Sequence, residues 1–161
     1  MTTLVLGMGN PILSDDGLGL TVARRLRELP MPSDVEVAES EVGGLRLLEL
    51  VRGFTKVIII DALRSDATPG TIGRVDADEF RGGHRYGSAH SIHLGTALEL
   101  GHQLGYEMPH EVVVYTVEAA DVETFGEALS APVAVAAARV VELIREELAT
   151  GACPPSLVPA A

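Results

Sequence analysis

The sequence predicts a single three-layer α/β/α domain, an α/β fold with a mostly parallel, twisted sheet and helices on both faces. Short apolar segments alternate with segments of helical periodicity, and the connections between them are short. The four consecutive β-branched residues from Val57 to Ile60 are typical of a strand that is buried on both faces. The length of 161 residues fits one domain of ordinary size.

The first half of the chain alternates strands with helices. Leu18, Val22 and Leu26 recur at helical spacing, and Pro30 ends the helix that they define. A glycine-rich loop at residues 7–17 separates this helix from the first strand. The predicted strands lie at residues 4–6, 35–38 and 57–60, and the predicted helices lie at residues 18–29 and 44–52.

The second half continues the alternation after an edge strand. Pro69 and Gly70 predict a turn before this strand, at residues 71–75. A polar, glycine-rich loop at residues 81–87 follows, and then a helix at 91–104, a strand at 111–117 and a helix at 132–148. We place the domain at residues 1–149 and predict that the proline-rich tail, residues 150–161, is flexible.

Composition and charge exclude several classes of protein. The formal net charge of −11 disfavours a nucleic-acid partner, because phosphate contacts need clustered Lys and Arg. No apolar run approaches the roughly 18 residues of a membrane-spanning helix, and the first residues do not have the pattern of a signal peptide. The single Cys153 excludes an internal disulfide and fits a reducing compartment. We therefore expect a cytoplasmic protein with no nucleic-acid and no membrane partner.

The glycine-rich loop after the first strand invites a dinucleotide-binding interpretation. Gly7 and Gly9 match the first two glycines of the G-x-G-x-x-G motif, but Ile12 occupies the third position, where a side chain obstructs the close approach of helix and strand. Asp15 and Asp16 also precede the helix N-terminus that a phosphate would occupy. A nucleotide-binding Rossmann domain is therefore a distant alternative.

The adjacent Asp15 and Asp16 have two interpretations. Aspartate is favoured at helix N-caps, where its oxygen accepts free backbone N–H groups, so we expect one of the pair to cap the following helix. Capping needs only one carboxylate. The second is then free to point into the crevice at the carboxyl ends of the strands, where ligands bind in open α/β sheets.

Three candidate site residues come from three separate strand–helix junctions: Asp16, Asp61 and His90. Asp61 directly follows the most apolar strand, and His90 opens a helix, with His93 one turn further on as its competitor. Two carboxylates and an imidazole can hold a divalent ion and leave positions open for water or substrate. Two carboxylates that share a proton, as in aspartic proteases, are the other chemistry that these residues allow.

These residues lie in segments that resemble the hydrogenase maturation endopeptidases. The segments are LVLGMGN at residues 4–10, SDDGLG at 14–19, IIDA at 59–62 and SAH at 88–90. The resemblance extends from residue 3 to about residue 149. It implies a βαβ fold and a peptidase that removes a short C-terminal extension from the precursor of the [NiFe]-hydrogenase large subunit after nickel has been inserted.

The resemblance also implies roles for individual residues. Asp16, Asp61 and His90 match the three metal-contacting positions, with Asp16 and Asp61 as the catalytic residues. Nickel is then supplied by the substrate precursor, and no tightly bound resident metal is expected. Gly9, Asn10 and Glu39, on the adjoining loops, are expected to contact the substrate. Whether hydrolysis is of the aspartic type or is assisted by the metal stays open.

The chain departs from the family pattern in two places. The family often has Glu at the position of Asp16, and Asp shortens the reach of the carboxylate by one methylene. Many members have an Asp-Gly-Gly-Thr-like turn after the second strand, where this chain has ESEVG at residues 39–43.

The alternative function is a non-catalytic, nickel-dependent sensor or chaperone of the large subunit. Such a protein uses the same triad and leaves the precursor uncut.

Overall fold

The computed structural model describes residues 1–76 and 89–157, without the side chains of residues 89–93 and 156. Within these ranges, a five-stranded sheet lies between two pairs of helices. The strands are β1 (Thr3–Met8), β2 (Val35–Ser40), β3 (Lys56–Leu63), β4 (Ile72–Asp76) and β5 (Glu111–Glu118). The helices are α1 (Leu18–Arg27), α2 (Leu45–Val51), α3 (Ala89–Gln103) and α4 (Ala131–Thr150).

The sheet is mostly parallel. Its strand order is β2-β1-β3-β5-β4, in which β2, β1, β3 and β5 run parallel and the edge strand β4 pairs antiparallel with β5. Parallel neighbours need crossover connections, and the crossover helices cover both faces of the sheet. The predicted three-layer α/β/α class is therefore confirmed.

Alternate side chains of the strands feed two separate cores. Val5, Ile58 and Tyr115 point to the face covered by α1 and α4. Leu6 and Ile59 point to the opposite face, with Leu47 of α2 and Leu94 of α3. A strand that is apolar at every position is required where both faces are buried, which accounts for the unbroken β-branched run in β3.

The predicted elements are present within the described residues, with shifted boundaries at the candidate site. The loop predicted at residues 7–17 contains the end of β1 and a 3-10 turn, Ser14–Gly17, which leads directly into α1. Strand β3 continues beyond Ile60, because Asp61 and Ala62 keep pairing with β5. Asp61 therefore lies inside a strand rather than after one. The loop predicted at residues 81–87 lies outside the described residues.

Helix α1 approaches the sheet closely at Gly19. A Cβ atom at this position would overlap the carbonyl oxygens of Met8 and Ile60, at the carboxyl ends of β1 and β3. Only glycine permits this approach, which brings the start of α1 and the preceding 3-10 turn against the edge of the sheet. Gly19 therefore sets the position of the turn that carries Asp15 and Asp16.

The end of the chain packs on the domain as far as it is described. Helix α4 ends at Gly151, which adopts the left-handed conformation that favours glycine. Pro154 is buried, and Leu157 packs against the core beneath α1 and α4. The flexibility that we predict for residues 150–161 stays a prediction. In the part of the chain that the structure describes, no helix has both the length and the apolarity needed to cross a bilayer.

Candidate active site

The candidate residues lie at the edge of the sheet where the parallel strands end. The 3-10 turn Ser14–Gly17 follows β1 and packs against β3. Asp16 belongs to this turn, and Asp61 lies near the end of β3. The structure therefore brings Asp16 and Asp61 to the same edge of the sheet, as the sequence predicts.

Asp61 is a buried carboxylate with 2% of its surface exposed. Its side chain points to the α2–α3 face, because successive strand residues alternate and Ile60 and Ala62 point to the other face. Carboxylates are seldom fully buried, and those that are buried are paired, hydrogen-bonded or bound to a metal. The backbone of Asp61 pairs with Thr116 of β5, and Ile60 before it pairs with both neighbouring strands, so Asp61 is held in one place as a catalytic or ligating group requires.

Asp16 is half-buried and is held by the loop that precedes it. The backbone N–H of Asn10 donates to Oδ2 of Asp16 at 3.1 Å, and Oδ1 of Asn10 accepts from the N–H of Ile12 at 3.1 Å. Gly9 has a φ of +146°, and a Cβ atom there would overlap the carbonyl oxygen of Asp16. Gly9 and Asn10 thus shape the turn that presents Asp16. The substrate contact that we predict for them stays a prediction.

Asp15 has a role that sequence reasoning missed. Its carboxylate is 0% exposed and accepts four hydrogen bonds, from the backbone N–H groups of Ala120, Asp121 and Ser130 and from the hydroxyl of Ser130, at 2.7–3.0 Å. It therefore fastens the 3-10 turn to the loop after β5 and to the start of α4. The only signal in the sequence is that two aspartates stand where one is enough to cap a helix. The hydrogen-bond donors to Asp15 could not be found from it, because they lie more than a hundred residues further along the chain.

The expectation that Asp15 or Asp16 caps the following helix is wrong. The N-cap of α1 is Gly17, and the described residues form no side-chain capping hydrogen bond at this helix end. The physical reason is the intervening 3-10 turn, which directs Asp15 toward the loop after β5 and Asp16 toward Asn10.

The loop after β5 is ordered by a second aspartate. Hydrogen bonds from the side chain and backbone of Thr124, and then from the backbone N–H of Glu123, lower the pKa of Asp121 to about 2. The same loop carries the Ala120 and Asp121 N–H groups that bind Asp15. The edge of the sheet beside Asp16 is thus built from fixed loops on both sides.

Glu39 is separated from Asp61 by the sheet. Its carboxylate pairs with Arg24, at 3.0 Å, and with Arg27, both on α1. Glu39 therefore points to the α1–α4 face, whereas Asp61 points to the α2–α3 face. The structure does not bring Glu39 together with Asp61, and a substrate contact by Glu39 stays a prediction.

His90 is the second residue of α3. This helix leads into the parallel strand β5, so it runs opposite to the strands and begins at their carboxyl edge. Leu94 and Leu98 pack it on the α2–α3 face, the face to which Asp61 points. The backbone of His90 therefore lies at the carboxyl edge of the sheet and on the α2–α3 face, as Asp61 does. The side chains of His90 and His93 lie outside the described residues, so the triad and the choice between them stay predictions.

The two described carboxylates differ in a way that suits hydrolysis. Asp61 is enclosed within the sheet, and Asp16 is partly open to solvent on the turn. Paired carboxylates in unequal environments can divide the roles of acid and base, or can complete the coordination of a divalent cation. Among the side chains that the structure describes, no group of three His, Cys, Asp or Glu residues is arranged to hold a metal.

The fold and the site define an α/β protein with a candidate hydrolytic centre at the carboxyl edge of its sheet. A family model described as hydrogenase maturation protease matches residues 20–147, a range that includes Asp61 and His90. The chain therefore belongs to the hydrogenase maturation protease family. The predicted family and the predicted enzyme class, a peptidase, are both confirmed.

Known proteins similar to this chain come from both bacteria and archaea. The hydrogenase expression/formation protein HupD of Thiocapsa roseopersicina is 29% identical over 150 residues, covering 91% of this chain and 67% of that protein. The hydrogenase maturating endopeptidase HybD of E. coli superposes with a TM-score of 0.83 at 25% identity, covering 97% of this chain and 99% of HybD. The [NiFe] hydrogenase maturation protease HybD of Thermococcus kodakarensis gives a TM-score of 0.71 at 29% identity, covering 93% and 100%.

Proposed function

We propose that this chain is the endopeptidase that removes a short C-terminal extension from the nickel-loaded precursor of a [NiFe]-hydrogenase large subunit. The observation that carries the proposal is the meeting of Asp16 and Asp61 at one sheet edge, in a chain of the hydrogenase maturation protease family. The similar protein of Thermococcus kodakarensis is a [NiFe] hydrogenase maturation protease, which supports the [NiFe] class. Action in the cytoplasm is part of the proposal and is supported by the single cysteine.

Nickel serves as the recognition element and arrives with the substrate. Two carboxylates and one imidazole form an incomplete site for a free ion, but they can complete the coordination of an ion that is already bound by the precursor. A precursor without nickel lacks this contact and binds more weakly. Selectivity for the loaded precursor then follows from a difference between two affinities.

The carboxylates supply the proton transfers of hydrolysis. An ionised carboxylate accepts a proton from water as the water oxygen attacks the carbonyl carbon of the scissile peptide. The C–N bond then breaks, and the protonated acid returns the proton to the departing amine. The products are a new C-terminal carboxyl group and a free peptide. Asp61 is fixed in a strand and Asp16 is fixed by Asn10, so both groups are oriented before the substrate arrives.

The test is the intact mass of the large-subunit precursor, nickel-loaded and nickel-free, after incubation with the protein. We expect loss of a short C-terminal peptide from the loaded precursor and an unchanged mass of the nickel-free one. A loaded precursor that binds the protein and stays uncut would assign the chain to the alternative role, a nickel-dependent sensor or chaperone. Equal cleavage of both forms would contradict nickel recognition.

Variants assign the site residues in the same assay. Asp16→Asn and Asp61→Asn keep the shape of each side chain and remove its charge, and we expect each to lower the cleavage rate by at least about 100-fold. Asp66→Asn is the matched control, because Asp66 is exposed in the turn after β3. His90→Ala and His93→Ala distinguish the two candidate imidazoles, and we expect only the first to abolish cleavage.

A further inference from the structure

Two large apolar side chains are exposed beside the candidate active site. Ile12 lies in the loop between β1 and the 3-10 turn, and Phe125 lies in the loop after β5. They are 48% and 79% exposed, respectively. Exposed apolar residues are common when they are scattered singly, but an adjacent exposed pair at a functional edge is typical of an interaction site.

Backbone hydrogen bonds join the two loops that carry these side chains. Leu13 and Gly126 form a parallel β-bridge, in which the N–H of Gly126 donates to the carbonyl of Ile12 at 2.9 Å and the N–H of Ser14 donates to the carbonyl of Gly126 at 2.8 Å. Ile12 and Phe125 each precede a bridged residue by one position. Paired backbones lie about 4.8 Å apart, so the bridge holds the loops that carry Ile12 and Phe125 side by side.

The pair is held in a rigid frame. The hydroxyl of Ser14 donates to the carbonyl of Thr124 at 2.7 Å, and the N–H of Asp15 donates to the carbonyl of Asp121 at 3.0 Å. The buried carboxylate of Asp15 binds the same loop. Because both loops are ordered before binding, a ligand that docks on Ile12 and Phe125 pays little conformational entropy for doing so.

The pair also borders the candidate catalytic carboxylates. The N–H of Ile12 donates to Oδ1 of Asn10, and the backbone N–H of Asn10 in turn donates to Oδ2 of Asp16. Phe125 stands between Glu123 and Glu127, two exposed acids. A segment that binds here therefore meets an apolar surface with acidic neighbours, next to the edge that holds Asp16 and Asp61.

We propose that Ile12 and Phe125 form a subsite for an apolar side chain of the precursor polypeptide close to the scissile bond. The inference rests on the proposed function and adds a second point of recognition to it. A metal contact fixes one point of a substrate and leaves the direction of its chain undetermined. A second contact on a rigid apolar surface sets that direction and brings one peptide bond to the carboxylates.

A second copy of this chain fits the pair less well than a peptide does. Two side chains offer at most ~400 Å² of apolar surface. Stable protein–protein interfaces bury about 1,200–2,000 Å² in total. A single apolar side chain of an extended substrate matches the size of the pair.

The test compares Phe125→Ala with Leu104→Ala as a matched control. Leu104 is also an exposed apolar residue, but it lies directly after α3, at the opposite edge of the sheet. Steady-state cleavage of the nickel-loaded precursor gives kcat and KM, and thermal unfolding gives Tm. For Phe125→Ala we expect KM to rise about tenfold with kcat within twofold and Tm unchanged, and for Leu104→Ala no change. Phe125→Leu should restore most of the wild-type KM.

Three results would overturn the subsite. The first is an unchanged KM in Phe125→Ala while the wild-type protein cleaves. The second is a wild-type dimer, seen by sedimentation, that Phe125→Ala dissociates without a change in KM. If the wild-type protein does not cleave, the proposed function fails, and the subsite is then tested by binding alone. Equal affinities of wild type and Phe125→Ala for the loaded precursor are the third result.

Discussion

Two adjacent residues of the same type have opposite environments at the candidate site. Asp15 is fully enclosed and accepts four hydrogen bonds, whereas Asp16 is half-buried and accepts one from the backbone of Asn10. The 3-10 turn produces the difference, because successive residues of such a turn point in directions about 120° apart. One aspartate therefore fastens the turn to the loop after β5, and its neighbour is left partly open to solvent.

Asp15→Ala should destabilise the protein far more than Asp16→Ala. Removal of the Asp15 carboxylate leaves three backbone N–H groups and one hydroxyl without their acceptor, at a cost of about 3 kcal/mol or more. Asp16→Ala removes one acceptor at a half-exposed position and should cost about 1 kcal/mol. Urea unfolding followed by circular dichroism measures both values. Equal losses would contradict the structural role that we assign to Asp15.

At the residue scale, sequence reasoning located the carboxylates better than it explained them. Asp16 and Asp61 could be predicted because each follows a recognisable strand, and parallel strands end together. The hydrogen bonds of Asp15 could not be predicted, because its acceptor role depends on Ala120 and Ser130, which only the fold brings near. The local preference of aspartate for N-caps gave the wrong partner in this case.

The position of helix α1 depends on the absence of a side chain at residue 19. Gly19→Ala would place a methyl group against the carbonyl oxygens of Met8 and Ile60, so α1 and the turn before it must move away from the sheet. We expect a loss of stability of about 2 kcal/mol or more and a large loss of cleavage activity.

Gly95→Ala in α3 is the matched control for Gly19→Ala. A Cβ atom there meets no described atom within 4 Å, and alanine is the better helix former by about 1 kcal/mol. The control should therefore be neutral or stabilising in thermal unfolding. A Gly19→Ala variant with the stability and activity of the wild type would show that the close approach of α1 is unnecessary.

A buried charge network ties α4 to three strands. The carboxylate of Glu147 accepts hydrogen bonds from Lys56 of β3 at 2.8 Å, from Arg74 of β4 at 2.9 and 3.0 Å, and from the hydroxyl of Tyr115 of β5 at 2.6 Å. Burial raises the pKa of Tyr115, and the hydrogen bond to Glu147 raises it further. The edge strand β4 is thereby fixed to the rest of the sheet through a helix.

The network predicts a specific dependence of stability on pH. Burial alone would raise the pKa of Glu147, but the hydrogen bonds from Arg74, Lys56 and Tyr115 outweigh it, and the pKa is lowered. The folded state therefore gains stability from the ionised carboxylate at every pH above the unfolded value of about 4.3, and loses it as the pH falls through the lower, folded value.

Glu147→Gln should remove this pH dependence and lower the stability at pH 7 by about 3 kcal/mol, since Lys56 and Arg74 lose their buried counter-charge and keep only the more exposed carboxylates of Glu111 and Asp76. The measurement is the free energy of unfolding of both proteins between pH 3 and pH 7. Glu142→Gln, at an exposed position of α4, is the control. Parallel pH profiles for wild type and Glu147→Gln would contradict the assignment.

At the element scale, periodicity was sufficient for the strands and helices but not for the network. The β-branched run of β3 and the apolar spacing of α1 and α4 follow directly from burial on one or both faces. Lys56 and Glu147 are 91 positions apart, and their charges are typical of solvated surfaces in a sequence. Only the crossing of α4 over the sheet brings them together.

At the scale of the whole molecule, the parallel sheet is what assembles the site. It collects the ends of β1 and β3 and the start of α3 at one edge, so residues far apart in the sequence lie at the same edge of the sheet. The fold class was predictable because local periodicity, turn residues and core composition agree. We place His90 at that edge from the position of its backbone in α3, because its side chain lies outside the described residues.

The purified protein should contain little metal if nickel arrives only with the precursor. Two carboxylates and one imidazole leave coordination positions of a divalent ion open, and on this account the ligands of the precursor fill them. Elemental analysis by mass spectrometry should give well below one equivalent of nickel or zinc after dialysis without chelator. Stoichiometric, tightly bound zinc would contradict a site that is completed by the substrate.

The central claim is that Asp16, Asp61 and His90 bind the nickel that the precursor carries. Nickel K-edge X-ray absorption tests it directly, on the loaded precursor alone and after mixing with this protein and rapid freezing. We predict that oxygen and nitrogen scatterers join the nickel shell with the wild-type protein and not with a double variant, Asp16→Ala with Asp61→Ala. An unchanged nickel spectrum in a mixture where the two proteins are bound to each other would contradict the claim.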